Sequence, residues 1–218
     1  MVVLRRNGIE FVIVAARAAD AEAEEGLTDV HDDFVNGVLP CETLRLIVFA
    51  DLAGQQDGCG DKEAGGGITP WHADQYYWPL DSDRTITAWI PLQPVPEDMG
   101  PLGFYARSQS EAFGRDLGIS DESEAKISEN MARHGFAFAV SPFELGDVSF
   151  HLGWTFHKAG PNSSDRPRSV MTVIYMDADM RLVPALNAVQ ANDRDQWCPG
   201  AREGEIIATR KNPVIWSR

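Results

Sequence analysis

The chain has 218 residues, 44% of them hydrophobic and 24% charged, which suits one ordinary globular domain. Its 33 acidic residues against 19 basic ones give a net charge of −14, a surface that repels phosphate backbones and argues against nucleic-acid binding. No apolar run approaches the roughly 20 residues that cross a bilayer, so no membrane partner is expected.

The three cysteines, Cys41, Cys59 and Cys198, are odd in number and far apart, which suggests neither a disulfide framework nor a Cys-x-x-Cys metal site. A reducing cytoplasm is the expected setting. Arg5-Arg6, a short apolar stretch and an Ala-x-Ala segment imitate an export signal, but Glu10 and Arg17 break that pattern. "NSS" at 162–164 fits a glycosylation sequon, which has no meaning in a cytoplasmic protein.

In chain order, "GIEFVIVAA" is β-branched and apolar and reads as a strand or the start of a buried helix. "AARAADAEAEEG" reads as a helix ending at Gly26. "ETLRLIVFADL" fits either element, and "GCGDKEAGGG" is a glycine loop. "RTITAWIPL" alternates as a strand, with Thr85, Thr87 and Trp89 on one face and Ile86, Ala88 and Ile90 on the other. "EDMGPLGFYARS" gives a turn and a short strand. "SDESEAKISENMARHG" is a helix, with a capping box from Asp121 to Glu124 and a stop at Gly135. "GFAFAVSPFELGDVSFHLGWTF" holds two strands split by a turn, and "RSVMTVIYM" is another strand. From Asp177 on, the tail reads as loop-rich, with Pro184, Pro199 and Pro213. No repeat or linker divides the chain, so residues 1–218 are expected to form a single domain. Short strands separated by turns point to a sandwich or barrel with peripheral helices.

The chemistry gathers in "TPWHADQYYWPL". Two histidines and one carboxylate on one face of Fe(II) hold the metal and leave the opposite face open. On an extended strand residues i and i+2 share a side, so His72 and Asp74 can grip one ion. Taken alone, the pair is more often a surface hydrogen bond. A third ligand must come from elsewhere. His31 lies among acids, and His134 sits at a helix C-terminus where a cation suits the dipole. That leaves His151, inside an expected strand, and His157, past a glycine and heading into the loop "KAGPN". Eleven residues after His157 comes Arg168, whose planar fork can clamp a carboxylate, although a surface salt bridge is the plainer use of an isolated arginine.

Together "TPWHADQYYWPL", "TAWIPL", "MGPLGFYARS", "GDVSFHLGWTFHKAGPNSSDRPR" and "MTVIYM", in that order and spacing, resemble the phytanoyl-CoA dioxygenase family of Fe(II)/2-oxoglutarate-dependent oxygenases. The likeness runs from about Gly66 to Tyr175, and "WCPG" and "NPVIW" resemble the family's closing segment. It implies an all-β core with peripheral helices, a double-stranded β-helix of the jelly-roll, cupin-like kind. It also implies that His72, Asp74 and His157 bind Fe(II), that Arg168 binds the distal carboxylate of 2-oxoglutarate, and that Thr87 and Trp89 line that co-substrate's site. O₂ is then the second co-substrate. Two departures stand out. Residues 1–62 are atypical, with "FADLAGQQDGCGD" leading to Lys62 where the family has a longer helical region, and "ARSQ" stands where the family often has Gly-Ser-His.

The expected activity is hydroxylation of a small-molecule metabolite, with release of succinate and CO₂. Tyr77, Trp78 and Trp154, each within a few residues of a candidate ligand, are expected to line the substrate pocket, although rings of this kind also pack sheets together. Asp74 occupies the place a halide would need, which argues against halogenation. The rival is a jelly-roll metal- or ligand-binding protein without activity.

Overall fold

The computed structural model describes residues 43–49 and 62–217. The expected elements in "GIEFVIVAA" and "AARAADAEAEEG", and most of the atypical region 1–62, lie outside the described residues.

Period-two alternation decides the layering. Among the described residues, two antiparallel sheets form. The larger contains β1 (Thr43–Phe49), β3 (Thr85–Pro91), β6 (Ser149–Leu152), β8 (Val170–Asp177) and β9 (Val214–Ser217), in the order β6-β3-β8-β1-β9. The smaller contains β2 (Thr69–His72), β4 (Leu102–Tyr105), β5 (Phe138–Val140) and β7 (His157–Ala159), in the order β2-β7-β4-β5. This is the expected double-stranded β-helix, an all-β core with peripheral helices.

Among the described residues, three apolar clusters frame the interior. Trp89, Val95, Met99, Leu102, Phe104, Phe143, Ala159 and Val170 fill one cluster. Trp78, Ile174, Met176, Met180, Leu182, Cys198 and Ile207 fill a second. The third joins the small sheet to a helix, α1 (Asp121–Arg133): Trp71, Ala73 and Phe156 meet Ile127 and Met131. Strand alternation explains the partition. Trp71 and Phe156 turn to the helix, so their neighbours His72 and His157 turn to the other side.

Several expectations need correction. The capping box of α1 starts one residue earlier than expected: the Ser120 side chain accepts from Ser123 N, and Ser123 returns the bond, while Asp121 and Glu124 lie inside the first turn. A hydroxyl at the extended Ser120 is what the orphan N–H groups need, and such a cap contributes about 1 kcal/mol. Gly135 follows the helix at φ +70°, as the sequence suggested. His157 does not open a loop; it starts the three-residue strand β7, held between β2 and β4. The tail is not only loops. It carries α2 (Ala188–Trp197), capped by the Asn187 side chain on Gln190 N, and β9, which pairs with β1. Asn162 of the sequon is fully buried, its Nδ2 reaching the carbonyls of Lys62, Glu63 and Arg166.

One close approach ties the two halves together. Gly100 has φ +68°, and a Cβ there would lie 2.2 Å from Gly160 O. The Arg168 guanidinium donates to Gly100 O. Gly100→Ala should therefore cost about 3 kcal/mol, from left-handed strain plus the clash. Urea denaturation tests this, and a variant as stable as wild type would show that the crossing relaxes freely.

Candidate metal centre

β2 ends at His72, and the chain passes through extended Ala73 into a short 3₁₀ turn, Asp74–Tyr77. His72 and Asp74 therefore do not share a strand, as their spacing suggested, but straddle a strand end. The turn is fixed by Gln75: its N–H donates to Gly153 O, its Oε1 accepts from Thr85 Oγ1 at 2.6 Å, and its Nε2 donates to Ser82 O. From the partner strand comes His157, in direct register with His72.

His72, Asp74 and His157 each offer one ligand atom, and these atoms lie within 4.8 Å of one another. Asp74 Oδ1 is 3.7 Å from His72 Nε2 and 3.4 Å from His157 Nε2. The two Nδ1 atoms face backbone carbonyls, His72 toward Pro70 O at 2.8 Å and His157 toward Thr155 O at 2.9 Å. Nδ1–H donation to those carbonyls leaves both Nε2 lone pairs facing Oδ1. A carboxylate oxygen and two oriented imidazole nitrogens are the donor set that suits Fe(II) with open positions.

The second Asp74 oxygen is engaged elsewhere. Oδ2 lies 2.8 Å from Thr87 Oγ1 and 3.1 Å from His151 Nε2. His151 is thus not a third-ligand rival on another face; it stands behind Asp74, with its ring 4.4 Å from that of His157. Sequence reasoning missed this role, because only the β3–β6 register, which sets Thr87 opposite His151, brings the two together.

Electrostatics follow from burial and crowding. Burial alone would raise the Asp74 carboxyl, but the His157 charge and hydrogen bonds from His151 and His157 hold it well below the carboxylate range. Burial, then the neighbouring His157, push His72 down to about 3. The same two causes lower His151. His157 moves the other way: burial disfavours its charged form, but the Asp74 carboxylate and its hydrogen bond raise it. The Asp74 carboxylate thus favours a proton on His157 more than burial alone would allow, and a metal ion at Nε2 would compete with that proton.

Cross-strand rows extend the site away from the cluster. Trp89 lies between Ser149 and Thr172, one row on from Thr87 between His151 and Ile174. The hydroxyls of Ser149 and Thr172 are buried with no hydrogen-bond partner among the described residues. Beyond them Arg168, 4% exposed, holds its guanidinium 5.4 Å from the Trp89 ring centre. The Ser149 and Thr172 hydroxyls lie on the row between Thr87 and Arg168. Lys62 joins this end: its backbone bridges Arg168, and burial, then the Arg168 charge, lower its ammonium to about 8.

The expected substrate residues are dispersed. Trp78 is buried in the cluster with Ile174 and Met176. Tyr77 is half-buried, its hydroxyl accepting from Ile119 N. Trp154 is half-buried against the helix-side cluster, with Arg115 4.7 Å over its ring.

A jelly roll carrying this donor set is the framework of iron- and 2-oxoglutarate-dependent oxygenases. The family model for phytanoyl-CoA dioxygenases matches residues 40–170, and the chain belongs to that family. Among solved structures, it resembles the epimerase SnoN in complex with Fe3+, alpha ketoglutarate and nogalamycin RO, with 25% identity over 86% of this chain and 69% of that one and a TM-score of 0.62. The carbocyclase SnoK from nogalamycin biosynthesis matches at 26% identity over 72% of this chain and 59% of that one, with a TM-score of 0.58. EctD from S. alaskensis, with 2-oxoglutarate and 5-hydroxyectoine, shares the fold at 19% identity over 67% of this chain and 51% of that one, with a TM-score of 0.53. Comparison with curated protein sequences gives no match. Iron and 2-oxoglutarate are the cofactors of this class. Among the described residues, no helix is long and apolar enough to cross a membrane.

The depressed His72 sets a pH dependence in the metal-free protein. Its folded pKa of about 3 lies below the ordinary 6.5, so the unfolded chain holds more protons between those values. Stability then rises with pH in that window and is lost as pH falls below 6.5, by about 2 kcal/mol at pH 5 from His72 alone. His151 acts with the same sign; His157, raised, contributes stability below 6.5 that is lost as pH rises through its folded value. Calorimetric melting at pH 7 and pH 5 should show a smaller acid loss in His72→Gln than in wild type. Equal losses would mean that the folded protein accommodates a charged His72.

Proposed function

We propose that this protein is an Fe(II)- and 2-oxoglutarate-dependent dioxygenase that hydroxylates a small, ring-bearing metabolite. The observation that carries this reading is the convergence of His72, Asp74 and His157 at one end of a row of buried polar groups that leads to Arg168. His72 Nε2, Asp74 Oδ1 and His157 Nε2 would hold the metal. Arg168 would clamp the distal carboxylate of the co-substrate through charge-assisted bonds, with Trp89 as the wall beneath it. When bound, iron with 2-oxoglutarate and O₂ supplies the oxidant: one oxygen atom goes to the substrate and the other to succinate as CO₂ leaves.

The chain's own residues do the rest. The apolar clusters on either side of the site exclude water from it. Tyr77 and Trp154 are assigned to the substrate side, and Trp78 to packing. A net charge of −14 disfavours a polyanionic coenzyme A ester and favours a free metabolite. Residues 1–218 are read as one domain. The likeness to an epimerase and a carbocyclase supplies a second reading, in which the same hydrogen abstraction ends in inversion or ring closure. Product mass separates the two: hydroxylation leaves the product one oxygen heavier.

Two substitutions test the assignment. His157→Ala should abolish tight Fe(II) binding and 2-oxoglutarate decarboxylation, measured by anaerobic titration and succinate release; wild-type affinity would remove His157 from the metal. Arg168→Lys keeps the charge but loses the fork. It should weaken the co-substrate roughly tenfold to a hundredfold, for a loss of about 1.5–3 kcal/mol. An unchanged apparent constant for 2-oxoglutarate would place the clamp on another residue.

A further inference from the structure

Two groups outside the ligand set meet the same oxygen of Asp74. Thr87 Oγ1 and His151 Nε2 lie 2.8 Å and 3.1 Å from Oδ2, from strands β3 and β6 that pair antiparallel with Thr87 directly opposite His151. Both residues are buried, at 2% and 3% exposure. We propose that His151 and Thr87 are positioning residues that commit Asp74 to bind the metal through Oδ1 alone. The inference rests on the metal-site reading above.

Three observations converge on it. First, the backbone of Asp74 is already fixed, because Gln75 is bonded through both its N–H and its side chain. The freedom left to Asp74 is rotation of its own side chain, and that rotation is what two donors on Oδ2 remove. Second, His151 has no other polar reason to be where it is. Its Nδ1 is buried with no hydrogen-bond partner among the described residues, and its ring packs 5.3 Å from Phe104. An apolar side chain would fill that space without leaving a nitrogen unpaired, so packing alone does not account for an imidazole. Third, the split of Asp74 is complete: the two candidate ligand nitrogens face Oδ1, and the two donors face Oδ2. A carboxylate free to turn can chelate a metal with both oxygens and close a coordination position. One held by Oδ2 leaves that position to co-substrate and O₂. Thr87 thereby acquires a role different from contact with 2-oxoglutarate.

The test uses the full-length, metal-free protein and Co(II), whose visible absorption reports ligand number and geometry, followed by anaerobic Fe(II) calorimetry. Thr87→Val and His151→Leu should each bind both metals about tenfold to a hundredfold more weakly, with an altered Co(II) spectrum. His151→Gln, whose amide can still donate to Oδ2, should recover most of the affinity and the wild-type spectrum. Wild-type affinity and spectrum in Thr87→Val and His151→Leu would overturn the proposal, and so would a His151→Gln variant as weak as His151→Leu. If His151→Leu does not fold, Thr87→Val decides: weakened binding with a changed spectrum supports the clamp, and unchanged binding refutes it. A wild-type protein that binds no Co(II), or binds it as well after His157→Ala, would instead overturn the metal-site reading and the clamp with it.

Discussion

A buried carboxylate among three imidazoles is the constraint to which the rest of this structure answers. Taking Asp74 out of water is costly unless each oxygen finds partners. Here one oxygen faces His72 and His157, and the other takes Thr87 and His151. Those partners come from β2, β7, β3 and β6, so both sheets must close before the charge is compensated. The site is therefore a consequence of the two sheets meeting, and the sheets gain a polar reason to meet in one register.

That register also explains the asymmetry of the interior. The cluster around Trp89 and Phe104 fills one end, and the cluster around Trp78 and Met176 the other. Polar groups run between them in a line ending at Arg168, where Lys62 is its close cationic neighbour. Two positive side chains crowded at that end, with Lys62 resting on backbone carbonyls at Gly67 and Gly160, favour an anion there. The fold thus holds a buried carboxylate–imidazole cluster and a crowded cationic end within the same interior.

Much of this was legible in the sequence, for particular reasons. β3 and β8 are rich in β-branched and aromatic residues, so their strand character is legible without their partners. The His-x-Asp pair and Arg168 each have a plainer use when taken alone, and only the order and spacing of the motifs around them gave them expected roles. β7 was hidden because three residues carry no periodicity; His157–Ala159 is a strand only because β2 and β4 flank it. α2 has a nearly polar sequence, held by its Asn187 cap and by Gln190 reaching Tyr76 O, a contact across 114 positions. The work of His151 was invisible for the same reason: an imidazole in an apolar strand declares its partner only when the opposite strand is known. Trp78, expected on the substrate side, packs with Ile174 and Met176, because the turn after Asp74 carries its ring into that cluster.

Asn162 carries a consequence for how the chain can be made. Its amide is spent on three backbone carbonyls that fasten the segment before β8 to Lys62 and Glu63. Yet the same asparagine heads an Asn-Ser-Ser triplet, which an oligosaccharide transferase reads on a chain that has not yet folded. In a secretory host the sugar would arrive before the fold does. A glycan on that nitrogen is incompatible with the burial and the backbone contacts that Asn162 has in the folded state. Production route and folding are linked through a single amide.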